Sequence, residues 1–88
     1  MRLKAWRELK GYTQARVAEL MTGISEIAVL RHERGLRFPP PDTQERYREV
    51  TDGAVTPADW VEQWNDPQAV QDRANEEAAR QKRKAAAA

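Results

Sequence analysis

The sequence predicts an all-α fold of five short helices followed by a polar C-terminal tail that is either helical or disordered. Three observations carry this. Apolar residues recur at helical spacing from Leu3 to Trp64, and no segment reads as a strand. Recognisable start and stop residues punctuate that pattern. Beyond Asp66 the apolar residues almost vanish, with Val70 the one strongly apolar side chain between Gln68 and Lys84.

The first helix covers about Arg2–Lys10, with Leu3, Trp6 and Leu9 at helical spacing and Gly11 as its stop. Thr13 is a good N-cap for a second helix running to about Met21, with Val17, Ala18 and Met21 turned inward. Gly23 makes a turn. Ser25 caps a third helix to about Glu33, which Gly35 ends. Pro39, Pro40 and Pro41 form a stiff extended connector. A fourth helix follows over about Asp42–Val50, burying Tyr47 and Val50, and Gly53 follows it. Thr56-Pro57-Ala58-Asp59 combines a hydroxyl cap, a proline at the first helical position and an acid at the third. It opens a fifth helix carrying Trp60, Val61 and Trp64.

Asp66-Pro67 begins a further helical stretch with acids early and bases late, an order that suits the helix dipole. With so little apolar surface it is expected to project from the domain as a frayed helix or to be disordered. The expected organisation is therefore a domain over 1–66 and a charged tail over 67–88.

Composition narrows the function. The chain has 88 residues, 33% of them charged, with three Trp, two Tyr and one Phe to build a compact core. It has no Cys, which removes disulfides, zinc fingers and thiol chemistry together. A single His, no Gly-rich phosphate loop and no metal-spaced cluster argue against an enzyme, so no catalytic residue, metal or cofactor is expected. No apolar run approaches the ~20 residues of a membrane span, so a membrane association is not expected and the cytoplasm is the default compartment.

The net charge of +1 conceals a segregation. Residues 1–50 hold ten Lys/Arg against seven acids, residues 51–79 one Arg against seven acids, and residues 80–88 four bases. Arg31, Arg34 and Arg37 cluster with His32 where the third helix ends.

Two short amphipathic helices joined by a Gly-containing turn, with bases directly after, have the layout of a helix-turn-helix. Thr13-Gln14 opening a helix, Gly23-Ile24-Ser25 in the turn and Glu33-Arg34-Gly35 closing the second helix resemble the lambda-repressor/Cro-like (XRE-type) DNA-binding family. The resemblance spans about Leu3–Trp64. It implies a five-helix DNA-binding domain that works as a cytoplasmic, sequence-specific transcriptional regulator. A homodimeric repressor on an inverted-repeat operator in double-stranded DNA is the leading form.

Residue by residue, the resemblance implies base contacts from Ser25, Glu26, Ile27, Ala28 and Arg31. Arg31 can bond guanine O6 and N7 together, Glu26 can accept from cytosine N4, and Ile27 and Ala28 suit a thymine methyl. For Ile27, together with Leu30, a place in the core is equally compatible. Phosphate contacts are implied for Gln14, Arg34 and Arg37, and Arg37 could instead enter a narrowed minor groove. Arg7 and Glu33 match an ion pair that links the first helix to the end of the third.

The sequence departs from the family's pattern in two places. The stretch from Thr13 to Gly23 is one residue longer than usual, so Met21-Thr22 either lengthens the second helix or bulges before the turn. His32 stands where a large apolar residue or Trp is usual, and a packed core histidine is expected, with a pH-sensitive group or a phosphate contact as alternatives. Val55, Trp60, Val61 and Trp64 offer more aromatic and apolar surface than so small a core should need, and a dimer interface is expected there. The alternative reading is an antitoxin, or an excision or architectural factor, that uses the same helix-turn-helix with a protein partner held through the acidic C-terminal part.

Overall fold

The computed structural model describes residues 1–87; the last residue of the 67–88 tail lies outside them. Six helices follow one another: α1 (Leu3–Lys10), α2 (Gln14–Met21), α3 (Glu26–Glu33), α4 (Pro41–Val50), α5 (Pro57–Trp64) and α6 (Pro67–Ala87). No strand occurs among the described residues. No helix of theirs is long and apolar enough to cross a membrane.

Short-range cap chemistry sets most of the boundaries. Gly11 ends α1 at a φ of 72°, and the Tyr12 N–H reaches back to the Arg7 carbonyl at 3.0 Å. The Thr13 hydroxyl accepts from the Arg16 N–H at 3.0 Å, and Ser25 does the same for Ala28 at the start of α3. Thr56 and Asp59 form a reciprocal capping box, with the Asp59 carboxylate accepting from the Thr56 N–H at 2.8 Å. Pro41 is the first residue of α4 rather than the last of the connector, because its fixed φ fits a first helical turn.

Ahead of Gly23 the chain bulges instead of lengthening α2. Helix α2 stops at Met21, and Thr22 and Gly23 take successive positive φ values of 46° and 86°. Arg46 of α4 closes this turn: its guanidinium bonds the Met21 carbonyl and lies 3.2 Å from the Thr22 hydroxyl. It thereby satisfies a carbonyl that the end of α2 would leave unpaired.

One core collects Leu3, Trp6, Val17, Met21, Val29, Tyr47, Val55 and Trp60. Tyr47 and Trp60 sit with ring centroids 5.0 Å apart, and His32 meets both edge-on. The Trp60 Nε1 has no hydrogen-bond partner among the described residues, so this indole is held by packing alone. Leu9 departs from expectation and is 71% exposed. Successive steps of three lag behind a 3.6-residue turn, so Leu9 has rotated off the face that buries Leu3 and Trp6.

The tail takes the helical alternative and departs from expectation only in its packing. It is one continuous helix, and its start packs on the domain. Ala69 is 4% exposed, and a Cβ built on Gly35 would lie 2.7 Å from the Ala69 Cβ. Arg73 lays its guanidinium over the Trp64 ring at 3.6 Å. From Glu77 to Lys84 every residue is exposed. The buried contact escapes a hydropathy reading because it joins two of the smallest residues in the chain.

Candidate nucleic-acid interface

Helix α3 divides sharply. Val29, His32 and Glu33 are buried, whereas Glu26, Ile27, Arg31 and the following Arg34 are exposed. Ile27, Arg31 and Arg34 fall at i, i+4 and i+7, one outward stripe. Ile27 is 60% exposed, which removes it from the core. Ser25 is exposed but its hydroxyl is engaged as the α3 cap, and Ala28 is half-buried. The side chains of Arg31 and Arg37 make no hydrogen bond or ion pair among the described residues.

The inner face of α3 is fixed by polar contacts. Arg7 grips Glu33 with two bonds, Nε to Oε2 at 2.7 Å and Nη2 to Oε1 at 3.0 Å, while its Nη1 donates to the Tyr12 carbonyl. The Glu33 side chain is 2% exposed. The Glu33 carboxylate raises the Arg7 pKa above its ordinary value through these hydrogen bonds. Gln14 joins the pair, its Nε2 donating to Glu33 Oε1 at 3.1 Å. The start of α2, the end of α3 and α1 are thus tied at one carboxylate. Of the Gln14 amide, the oxygen stays uncommitted while the nitrogen is held inward.

His32 is buried, with Nδ1 2.8 Å from the Tyr47 hydroxyl. Burial lowers the His32 pKa and raises that of Tyr47, so both stay neutral near pH 7. The packed-core reading of His32 stands.

Gln14 and Arg34 border one cleft of about 530 Å³ whose lining is mixed in charge, with Arg2 and Arg7 on it beside Glu33, Asp66 and Asp72. Two of the three expected phosphate contacts therefore share one edge of the molecule. The third, Arg37, does not border this cleft. Arg34, itself exposed, also lies 3.9 Å from the half-buried Asp72 of α6, a loose pair. No group of His, Asp and Glu among the described residues is arranged to hold a metal ion.

The expected dimer surface changes. Val55 is 0% and Trp60 2% exposed, so both belong to the core of the single chain and have no surface to give a partner. Trp64 is half-buried, covered within the chain by Arg73 and by the Phe38 ring, whose centroid lies 5.6 Å away. Val61 alone of the four is largely open, at 52%. The apparent surplus of aromatic surface is thus mostly consumed in cis.

Three contacts lie beyond what the sequence reading found: Arg46 at the α2 end, Gln63 bonding the His32 carbonyl, and Arg73 bonding the Gly35 carbonyl at 2.9 Å. Each is a polar side chain that caps a helix far from it in the chain.

No family model, characterised protein or solved structure matches this chain.

Proposed function

We propose that the chain is a lambda-repressor/Cro-like helix-turn-helix protein that binds double-stranded DNA sequence-specifically and regulates transcription, most simply as a repressor. On this reading α2 crosses the DNA backbone and α3 lies in the major groove. Arg31 reads a guanine edge, Ile27 and Ala28 meet thymine methyls, Glu26 selects cytosine, and Ser25 stands at the entry of the helix. Gln14, Arg34 and Arg37 hold phosphates.

The observation that carries the reading is the outward stripe of α3. An exposed Ile27 stands one turn from an Arg31 whose side chain nothing among the described residues engages. An apolar methyl and a free planar fork, side by side on a firmly anchored helix, match the edges of a base pair step. A single module of this size makes few base contacts, and pairing two on a symmetric site doubles them, which supports a homodimer. Val61 is the exposed apolar residue of α5 left to serve it.

Selection of bound sites from random duplexes tests the reading. The expected outcome is a short motif repeated with inverted symmetry, the half-site centres about 34 Å apart. Failure to enrich any sequence would overturn specific binding, and enrichment of a single half-site would overturn the dimer.

A second reading, an antitoxin or an excision or architectural factor, is favoured by the free part of α6. That part offers Glu77 and then Arg80, Lys82, Arg83 and Lys84, with no ion pair to α1–α5 among the described residues. It keeps the same DNA face and adds a protein. Co-purification with the product of an adjacent gene separates the two.

A further inference from the structure

We propose that Arg73 is a positioning residue for the segment Arg34–Phe38, so that α6 sets where the two phosphate-contacting arginines stand. The inference rests on the DNA-binding reading above for its functional consequence, and on geometry alone for the brace itself.

The chain leaves α3 through a tight reversal. The Arg34 N–H bonds the Leu30 carbonyl, and the Leu36 and Arg37 N–H groups both turn back to the Arg31 carbonyl, at 3.0 and 3.4 Å. None of these bonds uses the Gly35 carbonyl. Arg73 takes it, Nη1 to oxygen at 2.9 Å. The same guanidinium is stacked on Trp64, whose ring also meets Phe38 at the far end of the segment. Gly35 itself, at a φ of 70°, is pressed on Ala69 so closely that a methyl group would not fit. Between these two fixed points, Gly35 and Phe38, lies Arg37, and Arg34 directly precedes them.

A guanidinium suits this task better than an ammonium. Its plane stacks on the indole while its edge donates to the carbonyl, so one rigid group sets both distance and angle. Lys at this position could still reach the carbonyl but would lose the stack. The arrangement also explains why α6 has a packed start despite its polar composition: two residues, Ala69 and Arg73, one turn apart, grip the same glycine.

The test combines amide hydrogen exchange on the free protein with binding of a mixed-sequence duplex, for the wild type, Arg73→Ala and Arg73→Lys. In Arg73→Ala the Leu36 and Arg37 amides should exchange about fivefold faster relative to the Val29 and Tyr47 amides of the core. Duplex affinity should fall about three- to tenfold. Arg73→Lys should restore part of both. Normalising to core amides separates a loosened segment from a general loss of stability. Unchanged relative exchange overturns the brace whatever happens to DNA binding, and would make Arg73 a direct DNA contact if affinity still fell. Faster exchange with wild-type affinity overturns the positioning role. Faster exchange in a protein whose wild type binds no duplex leaves the brace standing and overturns the DNA reading instead.

Discussion

Arg7 and Glu33 form a bidentate ion pair, with bonds of 2.7 and 3.0 Å, that ties α1 to the last residue of the outward-facing helix. Their side chains are 15% and 2% exposed, so each charge depends on the other for compensation. Replacing one partner strands the other in a poorly hydrated site. Arg7→Met is expected to cost about 3 kcal/mol of stability, because only Gln14 remains beside the Glu33 carboxylate. Arg7→Met with Glu33→Leu should cost clearly less than Arg7→Met alone. Urea unfolding of the single and double variants measures the coupling; strictly additive losses would mean that the pair is not what holds these groups.

Acid should weaken the fold through His32. Burial holds its folded pKa below the ordinary 6.5, so the unfolded chain binds the proton more readily. Stability is therefore fully present above about pH 6.5 and declines as the pH falls below it. Tyr47, its hydrogen-bond partner, stays protonated throughout that range. His32→Gln should flatten the dependence between about pH 6.5 and 5, above the range in which most carboxylates titrate. Unfolding free energies measured across that interval check it. An equal slope in both proteins would assign the acid response to another group.

Gly35 and α6 should be energetically coupled. In the full chain Gly35→Ala carries both a backbone penalty at positive φ and a collision with Ala69, for a total of about 2–3 kcal/mol. In a chain ending at Asp66 the collision is gone and only about 1–2 kcal/mol should remain. That truncation should itself lower the thermal midpoint by roughly 10 °C, whereas removing residues 77–88 should shift it by only a few degrees. Equal penalties for Gly35→Ala in both backgrounds would refute the contact.

The arginine on α3 and the two that follow it divide by role under the proposed function. Arg31→Ala should lower affinity for a selected site by about 1–3 kcal/mol while sparing mixed-sequence duplexes. Neutralising Arg34 or Arg37 should weaken both equally and reduce the slope of log affinity against log salt by about one. Equal losses on both DNAs for Arg31→Ala would move it to the phosphate class.

The dimer test passes to Val61. Val61→Glu should leave a folded chain, since the side chain is largely exposed, and should convert a dimer to a monomer in sedimentation. A folded variant that remains dimeric would place the interface elsewhere. Glu at Trp60 would answer nothing, because that indole is in the core.

The helices were legible because their signals are local. Thr13, Ser25 and the Thr56–Asp59 pair act within three residues of themselves, and Gly11 and Gly35 announce their own backbone geometry. The buried histidine and the Arg7–Glu33 pair were also readable, the latter through the resemblance. What escaped were the contacts that cross the chain. Arg46, Gln63 and Arg73 reach carbonyls 25, 31 and 38 residues away, and a polar residue that caps a distant helix looks like any solvated one. Leu9 was misplaced for a related reason, because repeated three-residue spacing resembles a face until the rotation is summed. Trp64 suggests a second subunit because its covering residues lie outside the five expected helices: Phe38 falls between the third helix and the proline connector, and Arg73 in the tail.

The placement of the three tryptophans gives the molecule its own optical gauge. Trp6 and Trp60 are sealed in the core and should emit at short wavelength until the whole domain unfolds. Trp64 lies at the seam between α5 and α6, shielded by the Arg73 cation over its ring and by the perpendicular Phe38 ring. Detaching α6 uncovers that indole alone to water, so its emission should move to the red while the far-ultraviolet signal of the remaining helices stays level. Fluorescence can thus follow the docking of α6 as an event separate from folding, without any label.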